Sequence, residues 1–270
     1  MGDLRKTIPA DEKFTAGVFL IDKPAGVTSF SVVRDVRRLL DVRKVGHAGT
    51  LDPFATGLLI VCAGRPATRL IERFMAGRKR YRAEIRLGVE TDTLDPEGKV
   101  VRTLPVPELG RESIITCLEG FVGRQEQVPP IYSAVKHKGK PLYHYARKGV
   151  EIRKEPREIE IFSIDFLGYD PGSHRLGIEV VCSRGTYVRV LAVDIGRKLG
   201  SCAFLCGLRR LASGRFQVEN SLAGEVLRKQ NGAERLLAGM MPLEEAAALM
   251  EEKTPAGTHP VDGRKNSRKP

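Results

Sequence analysis

Polar and apolar residues along the chain follow two periods, and the places where one gives way to the other mark the elements. Residues Ala16 to Asp22 are mostly apolar and predict a strand, followed by a turn at Lys23-Pro24-Ala25-Gly26. Thr28 or Ser29 can then cap a helix whose apolar residues Phe30, Val33, Val36 and Leu40 recur every three to four positions. Tyr81 to Leu87 alternates, with Tyr81, Ala83, Ile85 and Leu87 on one side and Arg82, Glu84 and Arg86 on the other, which predicts a half-buried strand. Phe162, Ile164 and Phe166 repeat the period of two, and Leu176 to Cys182 gives another strand. Val188, Leu191, Ala192, Ile195 and Leu199 return to helical spacing, with Gly200 as the stop. Thr103 to Pro107 contains proline and reads as a linker or loop. The pattern predicts an α+β domain with antiparallel strands and a few amphipathic helices. It contains no internal repeat.

Composition narrows the class. A chain of 270 residues, 41% hydrophobic and 29% charged, can build a sizeable core, which excludes wholesale disorder and fibrous repeats. The longest apolar stretches, such as Gly57 to Ala63, are too short to cross a bilayer. Met1 to Asp11 has no apolar core and does not read as a secretory signal, so a cytoplasmic location is expected. Lys plus Arg is 45 against 33 Asp plus Glu, a net charge of +12, and this excess points to a polyanionic partner or to a solvated basic surface. Cysteines at 62, 117, 182, 202 and 206 form no CxxC pair and no zinc signature, so they are expected to be free buried thiols, and no metal is expected.

Two segments could carry chemistry. In Lys44 to Leu59, Gly46 and Gly49 flank His47 and Ala48, and an Asp52-Pro53 step follows. The glycines permit close approach to a ligand. Asp52 can be a nucleophile or base, or the N-cap of a helix starting at Pro53; the residues alone leave both open. His47 can serve a site or simply bond a carbonyl. The second segment, Cys182 to Arg189, joins a strand to a helix and puts Arg189 in the first helical turn, where a cation opposes the dipole and calls for an anionic partner. Ala134 to Arg157 carries eight Lys or Arg against two Glu, interleaved with Tyr143 and Tyr145 and preceded by Tyr132. That composition suits RNA binding, or a charged loop anchored by its tyrosines. The last 18 residues, Lys253 to Pro270, are Pro- and Gly-containing with five Lys or Arg against one Asp, and read as a basic disordered tail.

Taken in order, several segments resemble those of bacterial TruB-type tRNA pseudouridine synthases. They are Asp22 to Ser29, the Gly46 to Gly57 block with His47 and Asp52, Lys79-Arg80-Tyr81, and Leu87 to Asp95. Gln127 to Lys136, Gly185 to Arg189 and Leu208-Arg209-Arg210-Leu211 complete the set, which spans about Gly17 to Pro242. The resemblance implies a pseudouridine-synthase catalytic domain over 1–242, with a mixed, largely antiparallel central sheet flanked by helices and a basic RNA-binding insertion at about 124–157. It implies isomerisation of one uridine in the T arm of tRNA, conventionally position 55, with no cofactor, no membrane and no protein partner, by a monomer. The family's essential aspartate falls on Asp52. The aromatic ring that stacks on the extruded base falls on Tyr81, the arginine paired with the aspartate on Arg189, and the histidine at the flipped-out nucleotide on His47. Tyr187 and Leu208 match residues packed around the pocket. In the insertion, Lys136, Lys138, Lys140, Arg147 and Lys148 are the expected RNA contacts.

The chemistry of the residues agrees. Breaking a glycosidic bond leaves C1′ electron-poor, and a carboxylate can stabilise or trap it. An adjacent Arg189 is expected to keep Asp52 ionised by lowering its pKa. Ala48 stands where the family often has threonine, and the 28 residues after Pro242 are too few for the PUA-type RNA-binding domain many relatives carry. Residues 243–270 are expected to be a short helical end and the basic tail. The rival readings are a tRNA-folding chaperone using the same basic surface, and a small-molecule glycosidase, which would need a second carboxylate and has no use for the charge. A nucleobase deaminase fails for want of a His-x-Glu and Pro-Cys-x-x-Cys signature.

Overall fold

The apolar run Gly17–Lys23 folds as strand β1, and the turn after it leads into helix α1 (Ser29–Leu40). The computed structural model describes residues 14–133, 135–146, 148–150, 152 and 154–251, and the side chains of 136, 140, 141, 143 and 251 are not among what it describes. Thr28 is the N-cap of α1: its hydroxyl accepts the Ser31 N–H at 3.0 Å, satisfying one of the N–H groups a helix start leaves open. The helix buries Ser29, Val32, Val33 and Val36. Phe30, expected on that stripe, is 59% exposed. At 3.6 residues per turn it lies roughly 110° round the helix from the stripe's centre, so the spacing that suits Val33 and Val36 does not suit it.

The remaining main elements are β2 (Val45–Ala48), β3 (Thr56–Ala63), β4 (Lys79–Leu87), β5 (Gly123–Gln127) and β6 (Arg157–Asp170). They continue with β7 (Arg175–Cys182), helix α2 (Val188–Lys198), β8 (Ala203–Ser213) and the short β9 (Leu222–Ala223). One sheet runs in the order β9-β1-β3-β8-β4-β7-β6-β5, with β2 pairing β3. Neighbours are antiparallel except β9 with β1 and β3 with β8, which are parallel. This is the mixed, largely antiparallel sheet of an α+β fold.

The core explains the two hydrophobic patterns. Along β4, Tyr81, Ala83, Ile85 and Leu87 are buried with β7 and β8 against α2 and the Arg111–Glu119 helix, while the alternate arginines face out. Around β1 and β3 both faces are covered: Leu58, Ile60 and Cys62 join one cluster and Leu59, Val61 and Ala63 another. A strand covered on both faces reads as a continuous apolar run, as Gly57 to Ala63 does. In β6 the period of two is broken by bulges after Ile161 and Phe166. Ile161, Ile164, Phe166 and Tyr169 therefore reach the same cluster, whereas Phe162 lies under the Arg78 guanidinium at 3.7 Å. Helix α2 ends before Gly200, which takes φ +82°.

Two features position the site. The parallel pairing of β3 with β8 lasts only through Arg209 opposite Thr56 and Arg210 opposite Gly57. Gly57 has φ +101°, and a Cβ there would stand 2.3 Å from the Arg210 carbonyl oxygen, so only glycine lets the two halves of the sheet meet. Between β5 and β6 the chain leaves the sheet edge, forms the hairpin Lys136–His137 with Lys140–Pro141, and then the short helix Leu142–Ala146. The Tyr145 hydroxyl donates to the His137 carbonyl at 3.0 Å and anchors this excursion on itself. At the other end of the chain a helix covers Leu243–Glu251; the tail expected from Lys253 lies outside the described residues. Among the described residues no helix is long and apolar enough to cross a membrane.

Candidate active site

The loop between β2 and β3 is clamped at several points. Arg210 Nη2 donates to the Gly49 carbonyl at 3.0 Å. The buried Ser29 hydroxyl donates to the Leu51 carbonyl at 3.0 Å and accepts the Leu51 N–H at 2.9 Å. The Pro53 carbonyl receives Lys23 Nζ at 3.1 Å and the Gly26 N–H at 2.9 Å. The Ala55 N–H closes a turn on the Asp52 carbonyl at 3.1 Å. No helix starts at Pro53, so the Asp52 side chain is not an N-cap and its carboxylate is free to face another group.

That group is Arg189, two residues past the N-cap of α2. Its Nε stands 3.0 Å from Asp52 Oδ2 and its Nη2 donates to Oδ1 at 3.4 Å, a side-on pair. The guanidinium is otherwise saturated: Nη1 lies 3.3 Å from Asp95 Oδ2 and donates to the Thr93 carbonyl at 2.8 Å, and Nη2 donates to the Tyr132 carbonyl at 2.8 Å. The cation against the helix dipole thus has two carboxylates as partners, as its position demanded. Asp95 is buried and accepts from Thr93 Oγ1 at 2.5 Å and the Glu97 N–H at 3.0 Å. Asp52 keeps 33% of its side-chain surface, against 4% for Arg189, so the carboxylate is the part of the pair that a ligand can meet.

The electrostatics differ from expectation in sign. The neighbouring Arg189 is expected to depress the Asp52 pKa. Burial raises it and is the larger effect, the charge of Asp95 raises it further, and Arg189 with Lys23 only partly offsets the two. Lys23 is fully buried with its ammonium on the carbonyls of Pro24, Val27 and Pro53 at 2.9, 2.8 and 3.1 Å, and burial brings it down to about 8. Lys79 is likewise buried, on the Met75 and Gly77 carbonyls, and also falls to about 8.

Tyr81 stands opposite Arg210 on β8 and Val180 on β7, in the same cluster as Leu51 and Ala55 of the loop. Burial raises its phenol, and a hydrogen bond from the Arg210 guanidinium opposes the rise. Arg210 itself is buried, with Nε on the Leu58 carbonyl at 2.7 Å, so one side chain ties β3, the Asp52 loop and the Tyr81 hydroxyl together. His47 lies on β2 opposite Val61; burial and the Arg210 charge lower its pKa, and its Nδ1 has no hydrogen-bond partner. Tyr187 is the N-cap residue of α2. Leu208 is opposite Ala83 and lines, with Phe54 and Thr56, a cleft of about 660 Å³ beside the loop.

The structure therefore brings Asp52, Arg189, Tyr81, His47 and Tyr187 into one neighbourhood. Lys138, at φ +47°, and Lys148 are exposed on the excursion between β5 and β6. The side chains of Lys136 and Lys140, and all of Arg147, lie outside what is described. Lys23, Asp95 and Arg210 were not singled out from sequence, and Ser29 only as an alternative to Thr28 for the helix cap. Each lies in a recognised segment, but nothing in a linear pattern marks a buried lysine or serine as the clamp on a loop 30 or 22 residues away.

The fold is that of pseudouridylate synthases. A solved complex of Cbf5 with Nop10 and Gar1 superposes with a TM-score of 0.66 at 25% identity, covering 92% of this chain and 74% of that one. Residues 37–188 match the model described as TruB family pseudouridylate synthase (N terminal domain). The tRNA pseudouridine synthase B of Desulfotalea psychrophila is 53% identical over 89% of this chain and 99% of its own length. That of Syntrophotalea carbinolica is 44% identical over 86% of this chain and 76% of its own. The chain belongs to the TruB family of pseudouridylate synthases.

Proposed function

We propose that the protein isomerises uridine to pseudouridine in the T arm of tRNA, at the position conventionally numbered 55, with Asp52 as the essential carboxylate. The observation that carries this reading is the Asp52 carboxylate, exposed on one side and held side-on by the buried Arg189 on the other. The reaction breaks N1–C1′ and forms C5–C1′; C5 gives up a proton and N1 gains one, so the balance needs no redox partner and no added group. Asp52 serves the electron-poor C1′ as the uracil leaves. Arg189 and Asp95 fix its orientation. Tyr81 offers a ring for the extruded base, and His47, whose pKa burial and the Arg210 charge lower, serves the flipped-out nucleotide as a neutral side chain. The +12 charge and the basic excursion supply affinity for tRNA phosphates. The work is placed in the cytoplasm, on a free tRNA, by a single chain.

The test is positional. Tritium release from C5-labelled uridine should occur with a tRNA transcript and vanish when the T-arm target uridine alone is replaced by cytidine. Undiminished release from the replaced transcript would overturn the assignment.

A further inference from the structure

The helix that carries Arg189 begins without a cap of its own. Tyr187 is its N-cap residue, makes no side-chain capping bond, and is not a residue type that caps well. The Tyr187 backbone is held from outside instead. Gln127 Oε1 accepts the Tyr187 N–H at 2.7 Å, and Gln127 Nε2 donates to the Tyr187 carbonyl at 3.1 Å. Both ends of one amide are thus spent on one residue, in the manner of a neighbouring strand. Gln127 is buried, and a buried amide is costly unless its donor and acceptor are both met, as they are here.

Its place in the chain gives the arrangement a second meaning. Gln127 is the last residue of β5, paired with Arg157 at the sheet edge, and the basic excursion leaves the sheet directly after it. Five residues on, the Tyr132 carbonyl receives Arg189 Nη2. The foot of the excursion therefore grips Arg189 twice, through the backbone two residues before it and through its guanidinium.

We propose that Gln127 is a positioning residue: its side-chain amide sets the backbone at the start of α2 and so aims the Arg189 guanidinium at Asp52. The proposal rests on the reading of Asp52 and Arg189 as the reacting pair. A residue that only filled space at this point could be apolar, because an amide adds nothing to packing that a thioether of similar length does not. Deleting the amide frees the Tyr187 N–H, lets the first turn of α2 relax, and lengthens the distance between guanidinium and carboxylate. Asp52 then keeps its other neighbours, Asp95 and Lys23, but loses part of the charge that opposes its burial.

The variants that separate positioning from packing are Gln127→Met, which keeps the length and loses both hydrogen bonds, and Gln127→Glu, which keeps an acceptor for the Tyr187 N–H. Single-turnover tritium release, tRNA affinity and the thermal midpoint are measured for both across pH. Gln127→Met should bind tRNA within about twofold of the parent yet turn over at least about tenfold more slowly, with the acid limb of its rate profile moved to higher pH. Gln127→Glu should fall between the two. A folded Gln127→Met protein with the parent's rate and the parent's acid limb overturns the proposal, whatever its midpoint. Should that variant not fold at the assay temperature, a Gln127→Glu protein at the parent's rate overturns it equally. The unmodified protein and Asp52→Asn are run beside them. Loss of activity in Asp52→Asn with an unaffected Gln127→Met discards only this inference, whereas an unaffected Asp52→Asn discards the reading beneath it.

Discussion

Arg189 meets Asp52 side-on, with Nε 3.0 Å from Oδ2 and Nη2 3.4 Å from Oδ1, while its Nη1 reaches the buried Asp95 at 3.3 Å. One planar cation thus joins the loop after β2, the turn holding Thr93 and Asp95, and the foot of the basic excursion. A lysine cannot do this, because an ammonium is a point charge without a fork. Arg189→Lys should therefore fold but lose about 100-fold or more in single-turnover rate, the cost of two charge-assisted bonds at about 1.5–3 kcal/mol each. Arg189→Ala should also lower stability by about 3–5 kcal/mol, since Asp95 is left buried and unpaired. Urea unfolding of the two variants checks the second figure, and an Arg189→Lys protein at the parent's rate would refute the first.

How far the sequence carries this site depends on what kind of contact each residue makes. Strand β4 and helix α2 were legible because one face of each meets a single core, and Thr28 because a cap is a local contact. Phe30 and Phe162 were misplaced, since a stripe's centre and a bulge are set by what packs opposite. Asp52 and Arg189 could be named from the resemblance, but the sign of the Asp52 shift could not. It depends on how deeply the loop is buried and on Asp95, 43 positions away in a turn that folds over it. The clamps on that loop (Lys23, Ser29 and Arg210) come from a strand end, a helix start and a strand far along the chain, and leave no periodic trace.

The titrating groups set opposite limits. Burial, with Asp95, places the Asp52 carboxyl above its ordinary 3.8, and only the ionised form can serve C1′, so the acid limb of the rate should lie above 3.8. Lys23 releases its proton near pH 8, which weakens its grip on the Pro53 carbonyl, so the rate should fall again as pH rises through about 8. Stability moves the other way. The unfolded chain holds the Lys23 proton up to about 10.5, so between about 8 and 10.5 the unfolded state binds more protons and the Lys23 contribution to stability rises with pH. Rates and urea midpoints taken together from about pH 4 to about pH 9.5 test both signs: a rate that stays flat over that range contradicts the first, and a midpoint that does not rise above about pH 8 contradicts the second.

The excursion between β5 and β6 should position tRNA without entering the chemistry. Replacing Lys136, Lys138 and Lys140 together with alanine should weaken binding and make its dependence on salt shallower, by up to roughly 0.7–0.9 in log–log slope for each phosphate that is no longer neutralised. Turnover at saturating enzyme should change little. Unaltered affinity at every salt concentration would make this segment an ordinary solvated face.

We propose that the Tyr81 ring stacks on the extruded base and that its hydroxyl, engaged by Arg210, also assists removal of the C5 proton. Tyr81→Phe keeps a stacking surface worth about 1–3 kcal/mol per base and should bind tRNA normally while turning over more slowly. Tyr81→Leu leaves a cavity and takes a partner from the buried Arg210, so it should lower the thermal midpoint, and the protein that folds should be slower still. A Tyr81→Phe protein at the parent's single-turnover rate would leave the ring as the working part and remove the hydroxyl from the proton transfer.

The central claim is that the Asp52 carboxylate does the chemistry while the rest of the surface holds the RNA. It is tested most directly by single-turnover tritium release from C5-labelled tRNA transcript with Asp52→Asn, beside a measurement of its tRNA affinity. Asparagine keeps the size of the side chain and can still lie against Arg189, so the fold and the tRNA affinity should persist within about twofold, while release should fall by several orders of magnitude, at least about 10³. Release by Asp52→Asn at even about a tenth of the parent's rate, with tRNA bound, would contradict the assignment of this carboxylate as the reacting group.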